Sequence, residues 1–537
     1  MATWSLNLNA AAMLASVLLV AAAATATADP NPELQISFTD DAKFSVTVGG
    51  TLWLESAPIR AFVNGAWQQL ERTGVQRSKG SDELGSYSCV NVSWSWPQLQ
   101  DGTNSKTAPT RSSQGYPLHT ALKLYDGQGM AIFVQQLPHG ANNTNASNPM
   151  MPSGVRVIEP GDYPPVIAFP AFSGGQIEDL GYLLWQSRMI NAEWGTNVTG
   201  GLHCTNEPLS EAHPAGSGLQ GLSTSGPVVL FNEAFDSLVV APMDNLKSAV
   251  HYARRSKAIW EAGVTSELTS LPPNFEHRTM LFAGRGVTAT LDRWGRLFRK
   301  AHGTNRSFVE HDRNVQYLSY WTDNGAYLSG GNWGEAGGGG VSVNETAFRQ
   351  LSAGLKDLGI DAAVRIWQLD DWWYYKATGG VYSSCVYNWS LPDATFPSGL
   401  KGLSKALGKP WLLYIPFWCP KNIYDDRFRW IHSANPQHPE LIFAEPHPDD
   451  AAAFYSMLFD YGVANGMGGF EHDYLDYNYL SMPYLRKTAG AAHKWLAGID
   501  AAAHQRNIPV QMCMALPSDL MASVHFDSVT NYRASTE

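Results

Sequence analysis

The spacing of apolar residues changes period once along this chain, near residue 290. Before that point it is mostly two. Lys43-Phe44-Ser45-Val46-Thr47-Val48 alternates as a half-buried strand does. Asn64-Gly65 separates residues 59–63 from Ala66-Trp67, and Asp126-Gly127 separates residues 121–125 from 130–134. Both pairs supply the positive-φ residues of a hairpin turn. Residues 228–231 and 238–241 are continuous apolar runs and read as buried strands. Residues 98–115 and the Asn-rich stretch 140–148 read as exposed insertions. Many short strands with polar loops predict an N-terminal β-sandwich over residues 29–290.

The period then becomes helical. Trp294, Leu297 and Phe298 fall on one side of residues 291–303, with Arg293, Arg296, Arg299 and Lys300 around them. This predicts an amphipathic linker helix within 291–310. Beyond it, strands are expected at 315–321, 363–367, 411–415, 469–473, 510–514 and 528–534, with helices between them. Ser342-Val343-Asn344-Glu345 resembles a capping box before Phe348, Leu351, Leu355 and Leu358, and Gly359 ends that helix. Pro397 opens the next, with Leu400, Leu403 and Leu407 as its stripe and Gly408 as its stop. A third is expected over 451–461, and Leu485, Trp495, Leu496 and Ile499 mark one long helix. Strands alternating with helices predict a parallel sheet. The fold class is therefore α/β plus all-β: a β-sandwich followed by a (β/α)8 TIM barrel over 311–537, with about six of eight units and so incomplete at its C-terminus. An open barrel would leave unpaired edges, which favours reading the chain as a fragment.

Composition narrows the function. The chain is 16% charged with a formal net charge of -11, and no basic stripe is present to neutralise phosphates, so nucleic acid is excluded as a partner. With 19 Trp and 22 Tyr, a neutral carbohydrate fits better. Residues 10–24 form an apolar run too short to span a bilayer, and Ala26-Thr27-Ala28 is a small-x-small cleavage site. Residues 1–28 thus read as a signal peptide, although no Lys or Arg precedes the apolar run. The expectation is a secreted or endomembrane (vacuolar) protein with no membrane association after signal removal. Glycosylation sequons at Asn91, Asn142, Asn145, Asn197, Asn305, Asn344 and Asn388 agree with that. The 5 cysteines are widely spaced and odd in number, which argues against a zinc ribbon and leaves at least one free thiol. One or two bridges fit the count, and Cys385 with Cys419, expected on loops at one barrel face, is a candidate pair.

The chemistry centres on Gly468-Gly469-Phe470-Glu471-His472-Asp473-Tyr474-Leu475-Asp476-Tyr477. Acids at the C-terminal ends of barrel strands face the active site. Aromatic rings beside an acid suit sugars, because rings stack on the apolar faces of pyranoses. Asp473 is the acid at the expected strand end, with Asp476 in reserve if that end lies a few residues further on; His472 points to the opposite side of the strand and is structural. Phosphate-loop, HExxH, EF-hand and GxSxG patterns are not found, and neither a metal nor a cofactor is expected.

Motifs at the other strand ends carry a resemblance. They are Tyr320-Trp321-Thr322-Asp323-Asn324, Leu369-Asp370-Asp371-Trp372-Trp373, the run Phe396-Pro397-Ser398-Gly399-Leu400-Lys401-Gly402-Leu403, Phe417-Trp418, and Tyr532-Arg533-Ala534-Ser535. Their order is similar to that in glycoside hydrolase family 36 and its clan, the α-galactosidases and the raffinose synthase / seed imbibition group. The resemblance implies Asp473 as nucleophile after strand four and Glu537 as acid/base. It places Asp370 and Asp371 on sugar hydroxyls, Trp321, Trp372 and Trp418 as pocket walls, and Arg533 near the site. It implies a retaining α-galactosidase-like hydrolase, with galactosyl transfer as the second reading. A non-catalytic carbohydrate-binding protein is the third. Glu471 departs from the family, which carries Lys two residues before the nucleophile, and Glu537 replaces the usual Asp.

Overall fold

The computed structural model describes residues 31–39, 41–96, 118–146, 163–173, 180–186, 188–195, 223–254, 259–322, 344–370, 373–376, 385–392, 394–434 and 442–534. The expected signal segment, Cys204, Asp323, Asp371, Trp372 and Glu537 lie outside these residues.

Two antiparallel sheets occupy the first half. One has 7 strands and the other has 9. Phe44, Trp53, Phe172 and Trp260 of the smaller sheet share one apolar cluster with Phe133, Val240 and Leu281 of the larger. Alternate residues of the larger sheet point the other way. Ile132, Val239 and Met280 join a second cluster that continues into the C-terminal half. The larger sheet is therefore covered on both faces, which explains why Asp236–Pro242 is buried throughout and reads as a continuous apolar run. Both expected hairpins are present, Ala61–Val63 with Ala66–Gln68 and Leu118–Tyr125 with Met130–Leu137. Part of the expected Asn-rich insertion is instead paired, since Ala141–Asn142 forms a short ladder with Ser270–Leu271.

The helix expected as a linker is α1 (Val287–His302), which ends on Gly303 at φ 65. It starts earlier than expected and does more than connect. Trp294 and Phe298 pack into the second cluster, with Arg293 over the ring of Phe282.

The C-terminal half contains six parallel strands in chain order: β1 (Leu318–Tyr320), β2 (Val364–Leu369), β3 (Trp411–Ile415), β4 (Met467–His472), β5 (Val510–Met512) and β6 (Val529–Tyr532). All six expected strands exist; β1, β5 and β6 are shorter than the apolar pattern suggested. Among the described residues they form a half-barrel, not a closed eight-stranded one. Strand β1 starts late because Asp312 caps a short helix, Arg313–Gln316, where strand was expected.

Helix α2 (Glu345–Asp357) is capped by Asn344, whose side chain accepts the Ala347 N–H; the expected cap, Ser342, lies outside the described residues. Leu358, read as part of its apolar stripe, is 73% exposed. Helix α3 (Gly399–Leu407) buries Leu400, Leu403 and Leu407 as expected and stops at Gly408. Helix α4 (Ala451–Ala464) follows. After α5 (Leu475–Ser481), the single long helix expected from Leu485 to Ile499 is two: α6 (Pro483–Lys487) and α7 (Ala491–His504). Pro483 cannot continue α5, and Gly490 at φ 77 starts α7 afresh. Helix α8 (Pro517–Ala522) precedes β6. Cys385 and Cys419 form the expected disulfide, while Cys89 and Cys513 are buried free thiols.

Candidate active site

Side chains two apart on a strand share a face. Gln368 on β2 pairs in this way with Asp370 just past its end, Glu471 on β4 with Asp473, Gln511 on β5 with Cys513, and Asn531 on β6 with Arg533. Neighbouring strands place them at matching heights, with Glu471 opposite Tyr414 on one side and Gln511 on the other. Gly469, one step below Glu471, has no room for a side chain: a Cβ there would lie 2.9 Å from Leu412.

The ladder continues past the strand ends. Asp473 N–H donates to the Ile415 carbonyl at 2.8 Å, Cys513 N–H to His472 at 2.9 Å, and Arg533 N–H to Met512 at 3.1 Å. Three consecutive strands thus hold Asp473, Cys513 and Arg533 by their backbones, and all three interact electrostatically. Asp473 accepts from the Tyr414 hydroxyl at 2.9 Å and from the Tyr474 N–H at 2.7 Å. Tyr474 sits at φ 53, an uncommon conformation for an aromatic residue, which turns its N–H back onto the carboxylate. Tyr414 is braced in turn: its carbonyl accepts from the indoles of Trp373 (3.0 Å) and Trp389 (3.1 Å). Burial raises the Asp473 pKa. The Cys513 thiol, the Tyr474 N–H, the Tyr414 hydroxyl and the Arg533 charge oppose that rise.

Below this level lies a buried polar layer. Gln368 Nε2 donates to Glu471 Oε2 at 2.7 Å and also to Asp370, while Gln511 Nε2 contacts Glu471 Oε1 at 2.8 Å. Glu471 is fully buried. Burial first, and the Asp473 charge second, push its pKa up to about 8. Strand ends β1 and β2 are tied by Thr322, whose N–H donates to Gln368 Oε1 at 3.1 Å and whose hydroxyl accepts the Asp370 N–H at 2.9 Å.

A raised pKa has a stability consequence. A carboxyl that folding makes less acidic binds more protons in the folded state, so stability falls as pH rises from the unfolded to the folded pKa. For Glu471 that window runs from 4.5 to about 8. Glu471→Gln is expected to remove this slope, so the wild type loses stability faster across the window by up to ~1.4 kcal/mol per pH unit. Chemical denaturation at a series of pH values measures it; parallel curves for the two proteins would refute it.

The structure brings together Asp473 and Arg533, with Asp370 buried on the same sheet through Gln368; the partly exposed Trp321 lies past the end of β1, its indole bonded to Ser319. Trp418 is a correction. It is fully buried between Tyr424, Trp430 and Phe454, in the layer between the sheet and α4, and cannot wall a sugar pocket. His472 is on the opposite face, as expected, with its ring against Trp495 of α7 and Nδ1 3.1 Å from the Asp473 carbonyl. Asp476 lies within electrostatic reach of Lys247. Sequence reasoning missed Gln368, Tyr414, Gln511 and Cys513. The signal for the two glutamines was available: each is an uncharged polar residue inside a mostly apolar strand, in phase with Asp370 or Cys513. Among the described residues no cluster of His, Cys, Asp or Glu is arranged to hold a metal ion.

No protein-family profile matches the sequence, and no curated protein does. Solved structures do. A glycoside hydrolase family 97 enzyme from Pseudoalteromonas sp. strain K8, in complex with panose, aligns at 12% identity and a TM-score of 0.52, covering 93% of this chain and 67% of its own. The α-N-acetylgalactosaminidase NagBb from Bifidobacterium bifidum, in complex with Gal-NHAc-DNJ, aligns at 9% identity and a TM-score of 0.54, covering 92% and 77%. The GH36 α-galactosidase AgaA from Geobacillus stearothermophilus aligns at 12% identity and 0.47, covering 89% and 67%. The likeness to the first two is one of fold: this chain shares its mixed α/β architecture with glycoside hydrolases.

Proposed function

We propose that this chain belongs to a secreted retaining α-glycosidase, α-galactosidase-like, acting by double displacement. The carrying observation is the placement of Asp473 on the end of β4, held by Tyr414 and Tyr474 and facing Cys513 and Arg533. The order of motifs along the chain and the fold shared with glycoside hydrolases support the same reading.

In the first step the Asp473 carboxylate attacks the anomeric carbon. The glycosidic C–O bond breaks, and Glu537 gives its proton to the leaving oxygen. In the second step a water attacks the same carbon, Glu537 takes its proton, and Asp473 leaves as a carboxylate. The Tyr414 hydroxyl and Tyr474 N–H aim one oxygen each and keep the carboxylate from rotating. Asp370 and Asp371 accept hydrogen bonds from sugar hydroxyls, with Trp321 and Trp372 against the ring.

Two inversions retain configuration, so the first-formed sugar from an aryl α-galactoside is expected to be the α-anomer by proton NMR. Initial release of the β-anomer would refute double displacement. Adding sucrose separates hydrolysis from galactosyl transfer, since only transfer yields a new oligosaccharide.

A further inference from the structure

We propose that Glu471 is a positioning residue that keeps a proton at neutral pH, hydrogen-bonded to Gln511, so that the negative charge at the end of β4 resides on Asp473. The catalytic meaning of this rests on Asp473 being the nucleophile; the protonation itself does not.

The two carboxyls sit two residues apart on one strand face, and like charges this close resist ionising together. Their surroundings decide which one ionises. Asp473 has a hydroxyl, a backbone N–H, a thiol and a guanidinium arranged about it at the strand end. Glu471 is 0% exposed and meets two neutral carboxamides. The other charged or titratable groups about it are Asp370 on β2, Tyr414 on β3, Cys513 after β5 and Arg533 after β6. Arg533 favours both carboxylates and so does not reverse their order.

The position of the proton follows from hydrogen-bond bookkeeping. Gln368 cannot turn over, because its Oε1 already accepts the Thr322 N–H. Its Nε2 must therefore donate, and Glu471 Oε2 must accept. The proton is left to Oε1, which faces Gln511 at 2.8 Å. Gln511 Nε2 donates to that oxygen in the structure; a proton on Oε1 therefore requires the Gln511 amide to be turned by half a rotation, so that Glu471 Oε1–H donates to its carbonyl. A lysine in this place would set a cation beside the nucleophile. The protonated acid leaves the charge of Asp473 uncompensated on that side and gives the substrate nothing to bind, since both of its oxygens are occupied.

Infrared difference titration of the full chain tests the protonation without any turnover. The wild type should lose a protonated-carboxyl band near pH 8. Glu471→Gln should lack that band, and in Asp473→Asn its midpoint should fall, because a neighbouring charge is gone. A band set unchanged by Glu471→Gln overturns the proposal. If that variant does not fold, the Asp473→Asn comparison decides: an unmoved midpoint overturns it. The second arm is the acid limb of kcat/KM on an aryl α-galactoside. Replacing a neutral acid by a neutral amide leaves the limb in place, whatever the maximal rate, whereas Glu471→Lys moves it to lower pH. A downward shift of about one unit or more in Glu471→Gln would mean that an anion had been removed, and overturns it as well. Absence of hydrolysis by the wild type would count against the glycosidase reading alone, with the infrared result unaffected.

Discussion

Asp473→Ala is expected to lower kcat/KM on an aryl α-galactoside by roughly four orders of magnitude or more, the scale seen when a residue at the centre of a catalytic unit is removed. No other described carboxyl can take its place. Asp370 belongs to a different strand, Glu471 is sealed between two glutamines, and Asp476 lies near Lys247. Stability should not follow activity downward. The Asp473 pKa is raised by burial, so its charge is held at a cost, and removing it is expected to leave the melting temperature unchanged or higher. Tyr414→Phe is the milder companion, since it removes one of the donors to Asp473 and keeps the ring. A variant Asp473→Ala that retains more than a tenth of the activity would refute the assignment.

The largest stability effect is expected at the contact between the antiparallel sheets and the parallel half. Lys247 enters that contact fully buried. Its ammonium pairs with Asp519 of α8 at 2.5 Å, donates to Ser518 at 3.1 Å, and lies 4.1 Å from the centre of the Tyr479 ring. Tyr479 closes the arrangement by donating its hydroxyl to the Lys247 carbonyl at 2.7 Å. Removing one member of such a pair leaves the other charge buried, which costs about 3–5 kcal/mol. Lys247→Ala and Asp519→Ala should each show a loss of that size in denaturant unfolding. The double replacement Lys247→Met with Asp519→Leu should lose much less than the two single losses added, because both members of the pair leave together, with the remaining loss coming from buried Asp476, which also interacts with Lys247. Single losses below about 1 kcal/mol would place this pair with ordinary surface ion pairs and refute the prediction.

Much of this was legible along the chain, because it depends on local order. The hairpin turns, the strand and helix alternation and the glycine stops after α2 and α3 were each readable, and Cys385 with Cys419 was a candidate pair that the structure joins. Asp473 was readable too, since it follows a short apolar strand in a barrel-like series. The errors have physical causes. Trp418 carries the same aromatic signal whether it lines a pocket or fills the layer beneath one. Leu485 of α6 and Trp495, Leu496 and Ile499 of α7 were read as one apolar stripe, and the break at Gly490 was outweighed by it. Strand β1 was overextended because Val315 and Tyr317, although apolar, are exposed.

What the sequence determined by itself was where along the chain each strand ends and which acid stands there. Those are matters of spacing and of neighbours a few residues away. Only the tertiary structure decided what each acid experiences. Gln368 is 103 residues from Glu471 and Gln511 is 40, and neither distance is visible in a local pattern. Burial and charge act through space, so the protonation of Glu471 and the ionisation of Asp473 exist only once β2, β4, β5 and β6 lie side by side.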